Sequence, residues 1–344
     1  MPALYPFLMV PIFDERPWGV LDLRPVYTRA VSKPTGESWL TWEDNRVANG
    51  PMAGRSLADL AKEYRRDLVG TLACYEDRFP LLVKFLFPGD KLSVQVHPDD
   101  EQAKKDGQPC GKTECWYALR AEPGAQVALG LKQGTTLDDF RRAIEETRAE
   151  ELLNWVDVFA GDMLYVAAGT VHTIGGGMVL VETQQTSDTT YRLYDYGRRR
   201  ELHLEQGLAA TKLKTNAGKV VGSAPAQRRV DGDTENVRPS SAGANVLVRS
   251  PFFQVEKMPL RSELHANVTP ESPHVLVAVS GAGVVESHGM EPITFGTGDA
   301  VVIPAYVRAY SIRPQWDLDL MRMSLPAGNV PEPETTLPQS VRVR

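Results

Sequence analysis

The stretch from Gly89 to His97 reads GDKLSVQVH, and it decides the fold that we expect for the chain. Apolar and polar residues alternate along it, which is the two-residue period of a β-strand. Gln95 and His97 are two residues apart, so their side chains leave the strand on the same side. A neutral imidazole is a good metal ligand and an amide oxygen a weak one. The pair therefore predicts part of a metal site whose other ligands lie elsewhere in the chain.

Length and composition bound the remaining possibilities. The 344 residues leave room for two domains, and 42% hydrophobic and 24% charged residues are ordinary for a globular enzyme. A net charge of −6 argues against nucleic acid as the main partner. No run of apolar residues is long enough to span a membrane, and the N-terminus lacks the pattern of a signal peptide. Three cysteines without a CxxC pair suit a reducing compartment, so we expect a cytoplasmic enzyme.

Short apolar runs separated by Gly and Pro predict strands along most of the chain, with helical insertions at about 56–78 and 135–155. A segment rich in Gly, Ala, Ser and Pro interrupts these runs and reads as a connection. The predicted organisation has four parts, namely a domain over 1–215, a connection over 216–244, a β-barrel over 245–325 and an irregular tail over 326–344.

An internal repeat relates the two strand-rich halves. The residues Gly161-Asp162, Ala167, Gly169 and His172 have the same spacing as Gly298-Asp299, Pro304, Tyr306 and Ala309. The second copy has alanine where the first has histidine. The repeat therefore predicts two similar β-modules, of which only the first keeps a metal ligand.

These motifs resemble those of the cupin superfamily. Its first motif matches Gly89, Gln95 and His97 if Gln replaces the first His, and its second matches Gly161 to His172 with Ala for Pro. The resemblance implies two cupin-type β-barrels in a mainly β protein. It also implies a metal site made of Gln95, His97, Glu114 and His172. Glu114 would be the glutamate of the first motif, placed further along the sequence by a loop insertion. Two imidazoles, a carboxylate and an amide suit zinc, and also iron or manganese.

Six motifs make the resemblance more specific, and the match runs from about Phe13 to the C-terminal barrel, so it covers nearly the whole chain. The motifs are GESW (36–39), VANGP (47–51), KLSVQVHPD (91–99), GKTE (111–114), AGTVH (168–172) and YRLYDY (191–196). Together they resemble the type I mannose-6-phosphate isomerases. The resemblance implies interconversion of mannose 6-phosphate and fructose 6-phosphate through an enediolate, with one Zn²⁺ per chain and a sugar phosphate as the small-molecule partner. The choice between a monomer and a homodimer stays open.

The same resemblance implies roles for Glu182 and Arg192, and the positions of Lys112, Ser93 and Lys84 on their strands make these three further candidates. Glu182 corresponds to an acidic residue of the family's pocket and is the candidate base, although Lys112 and a metal-bound hydroxide remain alternatives. Arg192 corresponds to the family's active-site arginine, suited to phosphate or enediolate oxygens. Ser93 and Lys84 are the candidate substrate-binding residues, and Lys84 in an apolar strand would be costly to bury without a partner.

Two functions compete with this one, and two further features qualify it. An iron-dependent cupin dioxygenase could use the same ligands, and a non-catalytic sugar-phosphate-binding cupin could keep the fold without turnover. The Arg198-Arg199-Arg200 run reads as a solvated loop that could guide an anion to the site. Cys115 follows Glu114 and should point to the opposite side of a regular strand, so we do not expect it to bind the metal.

Overall fold

The protein is described from a computed structural model, which covers residues 3–222 and 244–337. It is built mainly from strands, so the predicted fold class is confirmed. The strands are β1 (Phe7–Val10), β2 (Ile12–Val20), β3 (Thr35–Trp39), β4 (Arg46–Val47), β5 (Leu81–Leu86), β6 (Val94–Val96), β7 (Glu114–Ala121), β8 (Gln126–Leu131), β9 (Leu153–Asp157), β10 (Met163–Val166), β11 (His172–Ile174), β12 (Met178–Gln185), β13 (Tyr191–Tyr194), β14 (Gly218–Val220), β15 (Asn245–Arg249), β16 (Gln254–Leu260), β17 (Leu264–Asn267), β18 (His274–Ser280), β19 (Ala282–Glu286), β20 (Ile293–Gly296), β21 (Ala300–Ile303), β22 (Ala309–Pro314), β23 (Leu318–Ser324) and β24 (Thr335–Thr336).

Helices are fewer and short. The α-helices are α1 (Leu57–Tyr64), α2 (Arg66–Val69), α3 (Asp100–Lys105), α4 (Leu137–Glu145) and α5 (Leu204–Ala210), and three further turns are 3-10 helices at Gly50–Met52, Ala149–Leu152 and Ala305–Val307. Within the described part of the chain, no helix has the length and apolar character needed to cross a membrane.

Four antiparallel sheets contain these strands. The eight-stranded sheet has the order β2-β3-β5-β12-β7-β10-β14-β24, and the five-stranded sheet has the order β13-β6-β11-β8-β9. In the C-terminal half, the seven-stranded sheet has the order β15-β16-β23-β18-β21-β1-β4, and the four-stranded sheet has the order β17-β22-β19-β20.

The sheets pack in layers, as the buried clusters show. Trp116 and Leu180 of the eight-stranded sheet share a core with Val127 and Ile174 of the five-stranded sheet. An equivalent core joins the seven-stranded and four-stranded sheets. The largest cluster lies between the eight-stranded and seven-stranded sheets and joins the two halves of the molecule. Helices α4 and α5 cover the outer face of the five-stranded sheet. The description of each sheet pair as a barrel stays a prediction.

The chain crosses between these halves at its N-terminal end. Strand β1 pairs with β21, placing Phe7 opposite Val302, and β4 pairs with β1. Strand β14 lies in the predicted connection and β24 in the predicted irregular tail, yet the two pair with each other at the edge of the eight-stranded sheet. The division at residue 215 stays a prediction, but the sheets themselves exchange strands across it.

The helical insertions are shorter than predicted, because the backbone turns sharply after each helix. Ser56 caps α1 as expected, and Arg65 at φ 48° separates it from α2, which stops at Gly70 with φ 82°. Thr136 begins α4 with a capping box, and Thr147 at φ 59° follows its end. The chain then makes a 3-10 turn and enters strand β9, so the end of the 135–155 insertion is not helical.

Candidate metal centre and substrate cavity

Two cross-strand rows of side chains build the candidate site. On the eight-stranded sheet the register places Lys84 between Trp39 and Glu182, and Trp116 follows Glu182 on the next strand. Residues in register on neighbouring strands point to the same face, which here is the face that shares a core with the five-stranded sheet. Glu114 lies two residues before Trp116 on β7, so it joins this face too.

The second row lies on the five-stranded sheet. Gln95 of β6 pairs directly with His172 of β11 on one side and with Arg192 of β13 on the other. Val94 and Val96 belong to the cluster beneath α4 and α5, so Gln95 between them points inward. The sequence pattern of β6 therefore puts its polar face toward the first row, as predicted. Cys115 belongs to the core on the opposite side of the eight-stranded sheet, also as predicted.

Both histidines are fixed in one tautomer. His97 Nδ1 donates to the carbonyl oxygen of Thr189 at 2.9 Å, and His172 Nδ1 donates to the carbonyl oxygen of Thr170 at 2.9 Å. A carbonyl only accepts, so Nδ1 carries the proton in each ring and Nε2 keeps a free lone pair. Burial and the nearby Lys112 lower the pKa of His97 to about 3, and burial also lowers the pKa of His172, so both rings are neutral at pH 7.

The two free lone pairs converge on Glu114. His97 Nε2 lies 3.4 Å from Glu114 Oε2, and His172 Nε2 lies 3.4 Å from Glu114 Oε1. All three residues are buried, and within the described residues His97 Nε2 and Glu114 Oε2 have no hydrogen-bond partner. The Lys112 ammonium, 3.2 Å from Glu114 Oε2, offsets part of the negative charge from one side, but no hydrogen lies among the three facing acceptors, so they repel unless a cation lies between them.

The spacing also fits a metal ion. The ligand atoms of His97, Glu114 and His172 all lie within 4.8 Å of one another. Ligands bound to zinc at about 2.0–2.1 Å in tetrahedral geometry are about 3.3 Å apart, close to the two separations at Glu114. Burial raises the pKa of Glu114, but Lys112 and His97 outweigh it and hold the pKa well below its usual range. The carboxylate is therefore ionised and ready to bind a cation.

Gln95 lies at the edge of this cluster. Its amide nitrogen is 3.2 Å from His172 Nε2, and its amide oxygen accepts a hydrogen bond from Ser93 Oγ at 3.2 Å. The two ends of an amide are interchangeable by a half-turn of the group, which would direct the oxygen toward the cluster. Gln95 is thus within reach as the fourth, weaker ligand.

A cavity of about 260 Å³ adjoins the cluster between the two rows. Seven of the nine sequence-predicted site residues line it, and His97 and His172, the buried candidate ligands, lie behind it. The lining residues that the sequence predicted are Lys84, Ser93, Gln95, Lys112, Glu114, Glu182 and Arg192. The site residues are thus brought together around one space.

Lys84 is buried in this lining with carboxylates around it. Its ammonium lies 3.4 Å from Glu37, 3.6 Å from Asp188 and 3.7 Å from Glu182, and 4.1 Å above the ring centre of Trp39. Its side chain is only 3% exposed. Burial lowers the pKa of Lys84, but the carboxylates, Glu37 first, outweigh that effect and raise it. The surrounding carboxylates therefore offset the desolvation free energy of this buried ammonium.

Glu182 is the carboxyl group best suited to exchange a proton at neutral pH. Burial and the charge on Glu114 raise the pKa of Glu182 to about 7, against the opposing effects of Lys112 and Lys84. Trp116 Nε1 donates to Glu182 Oε2 at 3.1 Å, which fixes the orientation of the carboxyl group. A general base works best when its pKa lies near the working pH.

Lys112 and Arg192 are both cations of the cavity, but they differ in whether a carboxylate balances their charge. Lys112 Nζ lies 3.2 Å from Glu114 Oε2, so it is paired with a candidate ligand. Arg192 Nη1 donates to the carbonyl oxygen of Glu201 at 2.8 Å, and its buried Nε has no hydrogen-bond partner among the described residues. In the same set, no carboxylate lies within salt-bridge distance of Arg192. Its charge is thus available to an anionic ligand.

Four charged lining residues were not among the predicted site residues, although the sequence analysis named one of them, Arg200, as part of a run that could guide an anion to the site. The four are Arg16, Glu37, Asp188 and Arg200. Glu37 stands in the quoted GESW motif and could have been found from it, whereas the other three are brought in by strand and loop geometry. Arg200 corrects the solvated-loop interpretation, because its Nε lies 2.7 Å from a carboxylate oxygen of the buried Asp195 while the residue lines the cavity.

Comparisons with known proteins agree on one family. Residues 22–141 match the family model for "Phosphomannose isomerase type I, catalytic domain". The mannose-6-phosphate isomerase of Streptococcus mutans is 35% identical over 327 residues, which cover 92% of this chain and 96% of that protein.

Solved structures show the same fold. The mannose 6-phosphate isomerase from Bacillus subtilis superposes with a TM-score of 0.78 and 30% identity, covering 93% of this chain and 99% of that one. A zinc-bound holo mannose 6-phosphate isomerase superposes with a TM-score of 0.68, covering 92% of this chain and 98% of that one. At 16% identity, the second likeness concerns the fold alone.

Proposed function

Because the chain belongs to the type I mannose-6-phosphate isomerases, we propose that the cavity beside His97, Glu114 and His172 is where it carries out that family's reaction. The chain is a mannose-6-phosphate isomerase, which interconverts an aldose phosphate and a ketose phosphate. The observation that carries the assignment of the site is the convergence of three buried acceptors beside a carboxyl group whose pKa is raised to about 7.

We propose Zn²⁺ as the metal, held by His97, Glu114 and His172 with Gln95 as the weaker ligand. Two imidazole nitrogens and one carboxylate oxygen form a common donor set of catalytic zinc. When bound, the ion supplies a Lewis acid that polarises sugar oxygens and stabilises negative charge. The two backbone carbonyls that fix the histidine tautomers support this role, since such partners orient metal-binding imidazoles.

Proton transfer between C1 and C2 falls to Glu182 in our proposal. Aldose–ketose interconversion needs one base that takes a proton from one carbon and returns it to the other. Glu182 lines the cavity, is buried, and is oriented by the Trp116 indole. Lys112 remains the alternative base, but its position against Glu114 suits it better to stabilising negative charge on the enediolate.

Arg192 and Ser93 are the proposed contacts to the anionic end of the substrate. Arg192 offers a guanidinium that no described carboxylate neutralises, and guanidinium groups bind phosphate oxygens in pairs. Ser93 lines the same cavity through a hydroxyl group. The predicted phosphate contact of Lys84 has weaker support, because three carboxylates already balance its charge. We infer that Lys84 acts mainly on Glu182.

The two competing functions are disfavoured by the comparisons. The relatives are mannose-6-phosphate isomerases over nearly the whole chain, rather than dioxygenases. A non-catalytic binding protein would not need a buried carboxyl group with a pKa near 7 beside an intact set of ligands. A cytoplasmic location stays a prediction.

Conversion of mannose 6-phosphate to fructose 6-phosphate tests the proposal. The purified protein should convert the substrate, lose activity to a chelator and regain it with Zn²⁺. His172→Ala should lose both bound zinc and activity, whereas the matched control His265→Ala, at a side chain that is 81% exposed, should keep both. Absence of conversion at one zinc per chain would refute the isomerase assignment, and activity that survives complete zinc removal would refute the metal's role.

A further inference from the structure

Glu37 is a buried carboxylate to which the mechanism above gives no task. It lies on β3, is 8% exposed, and receives three donors. Trp39 Nε1 donates to Glu37 Oε2 at 2.6 Å, Arg16 Nε donates to Oε1 at 2.9 Å, and the Lys84 ammonium lies 3.4 Å from Oε2. Burial raises the pKa of Glu37, but Lys84 and Arg16 outweigh burial and lower it to about 2, so the group is ionised at any working pH.

Lys84 connects Glu37 to the proposed base. Its ammonium lies between the two carboxyl groups, 3.4 Å from Glu37 and 3.7 Å from Glu182. The strand register fixes this order, because Lys84 is paired with Trp39 on one side and with Glu182 on the other, and Glu37 is two residues before Trp39 on the same face. The two carboxyl groups therefore share one ammonium.

We propose that Glu37 is a positioning residue for the isomerisation, which holds the Lys84 ammonium away from Glu182 and so keeps that carboxyl group able to carry a proton. The inference rests on the proposed role of Glu182 as the base. In this proposal Glu37 acts through Lys84 rather than on the substrate. Its negative charge acts on Glu182 in two ways that agree in sign, by direct repulsion and by competing for Lys84.

Other charged groups around Glu182 also affect the pKa of its carboxyl group. Glu114 raises the pKa of Glu182, and Lys112 lowers it. Asp188 competes for Lys84 from the cavity mouth at 3.6 Å, but its side chain is 45% exposed and therefore screened by water. The other charged residues of the cavity are Arg16, Arg192 and Arg200. Lys84 has three carboxylate partners, of which Asp188 is partly exposed and Glu182 is the proposed base. Glu37 is therefore the buried partner whose charge can control the position of Lys84.

The pH dependence of kcat/KM tests the proposal. Glu37→Gln keeps the shape of the side chain and removes its charge, so Lys84 shifts toward Glu182 and the pKa of Glu182 falls. We expect the acid limb of kcat/KM to move to lower pH by about half to one pH unit. The phosphate of the substrate, with a second pKa near 6, titrates identically with every variant, so a difference between variants belongs to the enzyme.

Two further variants separate positioning from structure. Glu37→Asp keeps the charge and should return the limb most of the way to its wild-type position, even if the rate falls. Glu15→Gln is the matched control on the neighbouring strand, because its side chain is 57% exposed and pairs with Lys33, and its limb should not move. A purely structural role for Glu37 would lower activity at all pH values without moving the limb.

The outcomes are distinguishable. A folded, zinc-loaded Glu37→Gln enzyme with an unmoved limb overturns the inference. If that variant does not fold, Glu37→Asn removes the same charge with a smaller amide, and an unmoved limb in a folded Glu37→Asn enzyme overturns the inference as well. If the acid limb of Glu182→Asp is the same as that of the wild type, the role of Glu182 is refuted and the inference with it. The absence of any conversion by the wild type refutes the proposed function instead.

Discussion

Replacing Lys84 with Met should destabilise the fold strongly and in a pH-dependent way. Met has a similar length, so it fills the space beside Trp39 but leaves Glu37 and Glu182 without their shared cation. At an effective dielectric constant of about 20, charges 3.4 and 3.7 Å apart attract by roughly 4–5 kcal/mol each. Desolvation of the ammonium offsets part of this. Breaking a buried pair usually costs about 3–5 kcal/mol, which is the loss in unfolding free energy that we expect at pH 7.5.

The sign of the pH dependence follows from Glu37. In the wild type its pKa is lowered to about 2, so the stability that its ionised form contributes is fully present above about pH 4.5 and is lost as the pH falls through about 2. Without Lys84, Glu37 and Glu182 are buried near each other with no intervening cation, and their pKa values rise. As the pH falls, protonation of Glu37 and Glu182 then removes their unbalanced charges and reduces the destabilisation of the variant. The difference between variant and wild type should therefore shrink between pH 7.5 and pH 5.

Urea unfolding of the zinc-loaded proteins at the two pH values measures this difference. Lys33→Met is the matched control, because Lys33 pairs with Glu15 at 3.0 Å but the two side chains are 66% and 57% exposed. An exposed pair of this kind contributes about 0–1 kcal/mol. A loss below about 1 kcal/mol for Lys84→Met at pH 7.5, or a loss that is the same at both pH values, would refute our account of the buried charges.

Two predictions concern catalysis. Glu182→Gln should abolish turnover while zinc stays bound, because the amide cannot take a proton but no proposed ligand is changed; a zinc assay beside the rate measurement checks this, and near-normal turnover would remove Glu182 from the role of base. Arg192→Ala should lose most activity, since it removes the cavity cation that no described carboxylate neutralises, and unchanged kcat and KM would exclude the proposed contact with the substrate.

Of the candidate site, the cluster of His97, Glu114 and His172 is the part that the sequence analysis brought closest to what the structure shows. Gln95 and His97 follow from strand periodicity, and the repeat located His172 by its spacing. These residues can be predicted from the sequence because a strand alternates its side chains regardless of what it packs against. Glu114 needed the family motif, since nothing local distinguishes it from a surface carboxylate until the packing of the two sheets brings it within 3.4 Å of both histidines.

The charges around the cavity were much harder to predict. Asp188 is 104 residues from Lys84 and Glu37 is 47 residues from it, yet both lie within 4 Å of its ammonium, as the residue numbers and distances show. Such contacts depend on strand order, which periodicity does not encode. The helical insertions were overextended for a local reason, namely residues with positive φ at Arg65 and Thr147 that end the helical backbone.

The pairing of β1 with β21 has a consequence for how the chain folds during synthesis. Phe7 and Met9 are apolar and fully buried in the finished protein, but their partner strand is made only when residues near Val302 leave the ribosome. Pairings between distant segments form slowly, and an unpaired apolar strand invites association with other chains. Translation that stops before β21 would therefore yield a chain with every proposed zinc ligand but an open, aggregation-prone edge.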